Sequence, residues 1–205
     1  MIITRPLAEA DVDRAAEVLG LAFHDYPWTR WTVDSRDHVA RLTELQRLCL
    51  AHVGLPRGLV SVTEVDGVVQ CVAQWADSAN PVPSDVVAPL LWRFAELEGD
   101  RAEASAAADA ESHGWRPAER HLYLATMGTA PDHQGRGLGA ATLAPGLEFA
   151  DAHGLRACLE TSSEANVRFY RSLGFEVVRH WRIAADEGPD LWLMQRPPPT
   201  STVWR

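Results

Sequence analysis

The N-terminal part of the chain has a strand-like apolar start followed by two stretches of helical periodicity. Ile2 and Ile3 predict a short first strand, and apolar positions three and four residues apart predict an amphipathic helix over residues 11–21. A second apolar stripe at the same spacing predicts a helix from about Ser35, with Asp34 or Ser35 as its N-cap. We therefore expect one strand and two helices before the middle of the chain.

Two runs rich in β-branched residues in the middle of the chain indicate a hairpin. They span residues 59–65 and 68–75 and are joined by Asp-Gly, a dipeptide favoured in two-residue hairpin turns. A helix is predicted next, at roughly residues 84–97. The alanine- and acid-rich stretch 100–112 is prone to form a helix but has weak apolar periodicity, so we expect a mobile flap or a surface helix there.

The last part of the chain alternates strands with helices. Its apolar and β-prone segments predict strands at residues 121–129, 156–160, 175–183 and 191–195. Helices are predicted between them, one after a glycine-rich turn and one capped by Ser162 or Ser163. The pattern predicts a single α/β (α+β) domain over residues 1–196, followed by a flexible, proline-rich tail over 197–205.

Composition and charge narrow the class of protein. The chain is 46% hydrophobic and 23% charged, and its apolar runs are shorter than the roughly 20 residues of a membrane span, so we expect a cytoplasmic protein. A net charge of −9 opposes binding to nucleic acid and to anionic membranes, and it suits a small cationic partner. Three scattered cysteines lack the spacing of metal ligands. We expect a monomer or a homodimer without a metal site.

A glycine-rich turn is the strongest sign of ligand binding. Residues 134–139 read Gln-Gly-Arg-Gly-Leu-Gly and lie between a predicted strand and a predicted helix. Glycine allows backbone N–H groups to converge on an anion, and the positive end of the following helix adds favourable charge. The turn therefore predicts a ligand that carries a phosphate group.

The same turn matches the dinucleotide-binding fingerprint, with Gly135, Gly137 and Ala140 in place and Glu160 about 20 residues later. However, residues 130–134 separate the predicted strand from the first glycine, whereas the fingerprint needs that glycine in the tight turn itself. About 45 residues remain after Glu160, which is too few for the rest of a doubly wound domain. No Gly-Lys-Ser/Thr follows, so a P-loop is also disfavoured.

A longer motif surrounds the glycine turn. It contains Thr-Met-Gly-Thr-Ala-Pro-Asp-His-Gln-Gly-Arg-Gly-Leu-Gly at 126–139, then Asn166, Tyr170 and Leu-Gly-Phe at 173–175. With these residues, the segment 121–175 resembles the GNAT superfamily of N-acetyltransferases. The resemblance implies a mixed, mostly antiparallel sheet of about seven strands flanked by helices, in which strands 4 and 5 splay apart.

Segments between residues 22 and 46 and at 159–162 are also similar to puromycin N-acetyltransferase and its actinobacterial relatives. The resemblance implies direct transfer of an acetyl group from acetyl-CoA to a small-molecule amine, such as puromycin, a related aminonucleoside or another antibiotic. Acetylation of a protein or peptide amine is an alternative. A further alternative is an acyl-CoA-binding sensor without turnover.

The resemblance also implies how acetyl-CoA is held. The backbone of Met127, Gly128 and Thr129 pairs with the pantetheine arm like an added strand. Asn166 and Tyr170 lie beside that arm. The pyrophosphate contacts the residues of the turn, which are Gln134, Gly135, Arg136, Gly137, Leu138, Gly139 and Ala140.

Direct transfer needs a neutral amine, stabilisation of the developing oxyanion and a proton for the leaving thiolate. We expect Tyr170 to be the general acid, because a phenol with a pKa near about 10 stays protonated at neutral pH. Glu160 is the candidate that orients the amine or relays its proton, while Asp25 and Glu44 are candidates for attracting a cationic amine. The residues expected to form an aromatic acceptor pocket are Tyr26, Trp28, Trp31 and Trp75.

Overall fold

A computed structural model of the protein describes residues 1–184 and 188–199. The strands are β1 (Ile2–Pro6), β2 (Leu59–Val65), β3 (Val68–Asp77), β4 (His121–Thr129), β5 (Arg156–Thr161), β6 (Glu176–Arg182) and β7 (Asp190–Arg196). The helices are α1 (Val12–Ala22), α2 (Pro27–Thr32), α3 (His38–Cys49), α4 (Leu55–Arg57), α5 (Ser84–Glu98), α6 (Ala102–His113), α7 (Leu138–Ala152) and α8 (Glu164–Ser172).

The seven strands form one sheet in the order β1-β2-β3-β4-β5-β7-β6. Every neighbouring pair is antiparallel except β4 and β5, which are parallel. Within the described residues, β4 pairs with β5 only through residues 121–123, which lie opposite residues 156–158. Beyond that point the two strands diverge. The predicted mixed, mostly antiparallel sheet with splayed fourth and fifth strands is confirmed.

Helices α1 and α7 cover opposite faces of the sheet. Strand β2 shows this, because neighbouring residues of a strand point to opposite sides and two of its residues contact different helices. Val62 of β2 belongs to the same apolar cluster as Leu19 of α1. The next residue, Thr63, faces the other way, and its hydroxyl lies 2.7 Å from that of Thr142 in α7. A second apolar cluster therefore fills the space between the sheet, α7 and α8.

Trp75 is part of this second cluster, so its predicted place in an acceptor pocket is wrong. The side chain is 1% exposed and packs against α7. A Cβ atom on Gly146 would overlap the Trp75 indole, which shows how closely the helix approaches. The sequence pattern placed Trp75 at the end of a strand but did not show which face of the sheet it would join.

The predicted hairpin is confirmed, since β2 and β3 are antiparallel neighbours. A short helix that the sequence did not predict, α2, precedes the predicted second helix, which is α3. Helix α2 has Pro27 in its first turn, a position that proline favours, and α3 begins later than expected, at His38. Neither Asp34 nor Ser35 caps α3, because the Asp34 carboxylate accepts a hydrogen bond from the Arg36 N–H at 2.8 Å instead.

The stretch predicted as a flap or surface helix is α6, and it is packed against the rest of the molecule. Its small residues Ser105, Ala108 and Ser112 are buried. We refer to α5 and α6 together as the lid.

Of the predicted tail, residues 197–199 have no regular secondary structure, and residues 200–205 lie outside the described residues. In the described ranges, no helix combines the length and apolarity that crossing a membrane requires.

Candidate active site

The turn between β4 and α7 has a backbone that glycine makes possible. Gly135 and Gly137 have φ angles of +73° and +80°, in the left-handed region where other residues are strained. Among the described residues, the N–H groups of Gly135, Arg136 and Gly137 have no hydrogen-bond acceptor. The first N–H groups of α7, from Leu138 onward, are likewise unused inside the helix. These converging donors at a helix N-terminus fit a phosphate group, and the exposed Arg136 side chain lies beside them.

Two more glycines allow the walls of a groove to approach closely. A Cβ atom on Gly139 would lie 2.6 Å from Met127 Cε and 3.2 Å from Phe169 Cζ, and one on Gly128 would lie 2.8 Å from Ala22 Cβ. The groove has a volume of about 920 Å³ and extends from the glycine turn to α8. Its length and its donor-rich end fit an extended ligand with a phosphate group at one end.

The other end of the groove reaches the gap between the splayed strands. There Asn166 Nδ2 of α8 donates a hydrogen bond to Thr161 Oγ1 at 3.2 Å. The Tyr170 hydroxyl, also from α8, lies 3.6 Å from Met127 Sδ. Tyr170 is 6% exposed, and burial raises the pKa of its phenol. The Tyr170 side chain is therefore a neutral proton donor beside the gap.

A second cavity, of about 320 Å³, lies on the far side of the gap beneath α2, α3 and the lid. We refer to it as the inner cavity. Its apolar and aromatic wall includes Phe23, Tyr26, Trp28, Leu42, Leu45 and Phe94. The inner cavity and the groove share five lining residues, Phe23, Tyr26, Met127, Asn166 and Tyr170. The two spaces therefore meet at Tyr170.

Glu160, at the edge of the inner cavity, is held by two donors. Arg116 makes a two-pronged contact with both carboxylate oxygens at 2.9 Å, and the Tyr123 hydroxyl donates to the carboxylate at 2.7 Å. The Arg116 guanidinium also lies 3.7 Å from the centre of the Tyr123 ring. Burial, and then the Glu160 charge, raise the pKa of Tyr123. Because donors occupy both oxygens of Glu160, these contacts disfavour Glu160 as the acceptor of an amine proton.

Two further carboxylates line the inner cavity from the lid. Glu98 accepts a hydrogen bond from Ser105 Oγ at 2.6 Å. The Asp109 carboxylate, in contrast, has neither a hydrogen bond nor an ion pair within the described ranges. Desolvation raises the pKa of both carboxyl groups, although Asp109 is exposed to solvent over part of its surface. Among the described residues that line the inner cavity there are thus three carboxylates and one cationic side chain, that of Arg116.

Several predicted acceptor-site residues are brought together at the inner cavity. Tyr26, Trp28 and Glu160 all line it. The Tyr26 hydroxyl accepts a hydrogen bond from the Ser162 N–H at 2.6 Å and lies 2.9 Å from Thr161 Oγ1. The hydroxyl of Tyr26 therefore connects the segment before α2 to the end of β5 by hydrogen bonds, at the place where the groove and the inner cavity meet.

The remaining predicted acceptor residues lie elsewhere. Asp25 borders the groove, not the inner cavity, and its side chain is 88% exposed. Glu44 forms an ion pair with Arg47 at 2.7 Å outside both spaces. Trp31 packs in a small apolar cluster around Ile183. These residues are not positioned to contact an amine in the inner cavity.

Glu98, Asp109 and Arg116 also line the inner cavity and were not predicted from the sequence. The signal for Asp109 was available in the small residues Ser105, Ala108 and Ser112, because their spacing marks one face of a helix. Asp109 follows Ser105 by one turn and therefore lies on the same side. Arg116 carried no comparable local signal.

The splayed strands, the phosphate-binding turn and a buried tyrosine at their junction form the arrangement of an acyl-CoA-dependent acyltransferase. Comparison with known proteins gives the same class. Residues 86–175 match a family model described as "Acetyltransferase (GNAT) family". Residues 86–175 are therefore similar to the GNAT acetyltransferases, and the protein is an acyltransferase whose cofactor is acetyl-CoA.

Solved structures share this fold. A Corynebacterium glutamicum protein described as "histone acetyltransferase HPA2 and related acetyltransferase" is 25% identical, aligns over 98% of this chain and 99% of its own, and has a TM-score of 0.74. A putative acetyltransferase from Salmonella typhimurium, solved with its cofactor acetyl-CoA, is 21% identical over 96% of this chain and 94% of its own, with a TM-score of 0.56. The ribosomal-protein-S18-alanine N-acetyltransferase of Escherichia coli is 19% identical over 96% and 94%, with a TM-score of 0.58.

Proposed function

We propose that the protein transfers an acetyl group from acetyl-CoA directly to the amine of a small molecule. The observation that carries this proposal is the junction at Tyr170, where the groove meets the inner cavity of about 320 Å³. A cavity of this size is typical for a small ligand. The lid covers it, whereas a protein or peptide acceptor would need a more open surface.

Bound acetyl-CoA supplies an activated acetyl thioester. The unpaired edge of β4 at Met127, Gly128 and Thr129 orients its arm, and the glycine turn holds its phosphates. Tyr170 would donate its phenolic proton to the leaving sulfur, a role supported by its place beside the unpaired edge of β4, where its hydroxyl lies 3.6 Å from Met127 Sδ. Its raised pKa keeps that proton in place until it is needed.

The acceptor is an amine with an aromatic body, such as puromycin, a related aminonucleoside or another antibiotic. The similarity at residues 22–46 supports this choice, because Tyr26 and Trp28 from this segment line the inner cavity. Acetylation would then confer resistance to the antibiotic. A cytoplasmic location and a monomeric or homodimeric state are further predictions.

Turnover of acetyl-CoA against puromycin and a panel of small amines, measured as free thiol, tests the proposal. The Tyr170→Phe variant should lose about 10²- to 10⁴-fold in kcat while binding acetyl-CoA normally. Ser172→Ala is the matched control: it also removes one hydroxyl from α8, but an exposed one outside both spaces, and it should retain the wild-type kcat.

Three results would contradict this function. Undiminished kcat in Tyr170→Phe would remove the catalytic assignment. Tight acetyl-CoA binding without turnover of any amine would favour a sensor. Acetylation of basic peptides but of no small amine would favour a protein acceptor.

A further inference from the structure

The lid is fastened over the inner cavity by contacts to the helices below it. Arg41 Nη1 of α3 donates to the Leu97 carbonyl at 2.7 Å, and Arg101 Nε donates to the Trp31 carbonyl at 2.7 Å. The Asp34 N–H also donates to the Glu98 carbonyl at 3.0 Å. Side chains that the lid directs into the inner cavity are therefore held at defined positions.

The three carboxylates of the inner cavity differ in their partners. Glu160 is neutralised by Arg116, and Glu98 is hydrogen-bonded by Ser105. Asp109 is left without a donor from the described part of the chain. Its carboxylate is thus the one whose hydrogen-bonding capacity is open to a ligand in the inner cavity.

Other polar atoms of the same wall are also unsatisfied. Thr126 Oγ1 and Gln46 Oε1 are buried without a hydrogen-bond partner within the described ranges. Buried polar atoms are seldom left unpaired in a native structure, because each one costs free energy. Gln46 and Thr126 therefore offer two further polar atoms with which a ligand in the inner cavity could form hydrogen bonds.

The groups that act on Asp109 come from every element around it. They are Cys49 of α3, Glu98 of α5, His113 of α6, Glu160 of β5 and Arg116. Desolvation raises the pKa of Asp109 and outweighs the attraction of Arg116. A carboxylate with a raised pKa accepts a proton more readily than an ordinary one, which suits it to an amine acceptor.

We propose that Asp109 recognises the acceptor, that the acceptor is a cationic primary amine on an apolar or aromatic body, and that Asp109 takes one proton from its ammonium group. This inference rests on the proposed function. In the step, one N–H bond of the ammonium breaks, a carboxylate oxygen of Asp109 gains the proton, and the nitrogen lone pair becomes free to attack. The carboxyl group afterwards returns its proton to solvent. The body of the acceptor lies against Phe23, Leu45 and Phe94.

Steady-state kinetics with amines that the wild-type enzyme acetylates test the proposal. The Asp109→Asn variant should raise KM for the amine about 10- to 100-fold, the effect expected for loss of a charged hydrogen bond. It should also displace the acidic limb of the kcat/KM profile, while KM for acetyl-CoA stays unchanged. Asp109→Glu should restore part of the activity. Glu103→Gln is the matched control, since it neutralises an exposed lid carboxylate outside the inner cavity.

The outcomes separate this inference from the proposed function. An active wild-type enzyme whose Asp109→Asn variant keeps the wild-type KM and pH profile overturns the role of Asp109 alone. An equal loss in Glu103→Gln would also overturn it, because the effect would then reflect general lid charge. A wild-type enzyme that acetylates no small amine overturns both the proposed function and the role of Asp109.

Discussion

Neutralising Glu160 should destabilise the fold far more than neutralising a carboxylate at the surface, because Glu160 carries the charge that compensates Arg116. The side chains of Arg116 and Glu160 are 21% and 9% exposed. In Glu160→Gln the guanidinium would remain partly buried without a counter-charge. In Arg116→Met the carboxylate would keep only the Tyr123 hydroxyl as its donor in the described structure.

The size of the effect follows from burial. Removing one partner of a fully buried ion pair costs about 3–5 kcal/mol. Partial exposure of Arg116 and its contact with the Tyr123 ring lower this figure, so we expect about 2–3 kcal/mol for each single variant. The double variant leaves no unpaired charge and should also lose about 2–3 kcal/mol. The coupling free energy between the two side chains is then about 2–3 kcal/mol.

Urea denaturation of the wild type, both single variants and the double variant measures this coupling. The exposed pair of Arg93 and Glu96 provides a matched cycle, since exposed pairs contribute about 0–1 kcal/mol. A coupling below about 0.5 kcal/mol for Arg116 and Glu160, equal to that of the exposed pair, would refute the reasoning.

Two further predictions concern the glycine-rich turn at residues 134–139 and Tyr170, the proposed general acid. Gly137→Val should raise KM for acetyl-CoA about tenfold, and Gly137→Asn should raise it less. The reason is that asparagine tolerates the φ of +80° better than a β-branched residue does. Equal KM values for Gly137→Val and the wild type would contradict this prediction. Burial raises the pKa of Tyr170 in the folded state, so kcat should not fall between about pH 8 and 10. For the same reason, the stability that the neutral phenol contributes should decline only above about pH 10, where the phenol of the unfolded chain begins to ionise. A fall in kcat with a midpoint near about pH 10, seen in the pH profile at saturating amine, would show that Tyr170 titrates as an exposed phenol.

Local chemistry accounts for the parts of the fold that the sequence predicted. The hairpin of β2 and β3 follows from its Asp-Gly turn, in which Asp66 and Gly67 both adopt positive φ. The phosphate-binding turn follows from glycines whose φ angles few other residues accept. Such features are encoded within a few neighbouring residues and can therefore be predicted without knowledge of the tertiary structure.

The wall of the inner cavity was not predictable in the same way. Arg116 and Glu160 are 44 positions apart, and their contact depends on how the lid is placed over β5. Trp75 shows the same limit, because the strand pattern gave its position along β3 but not its burial against α7. Residues that shape the acceptor site come from separate elements, so their association depends on tertiary packing.

The divergence of β4 from β5 also has a consequence for the solubility of the protein. A strand edge with unpaired N–H and C=O groups normally invites a strand of another molecule to add to the sheet and so promotes aggregation. Here the open edge of β4 beyond Tyr123 lies inside a notch that Asn166 and Tyr170 of α8 border. These side chains of α8 obstruct the approach of a further polypeptide strand to this edge. Their position therefore disfavours edge-to-edge association of the sheet at β4.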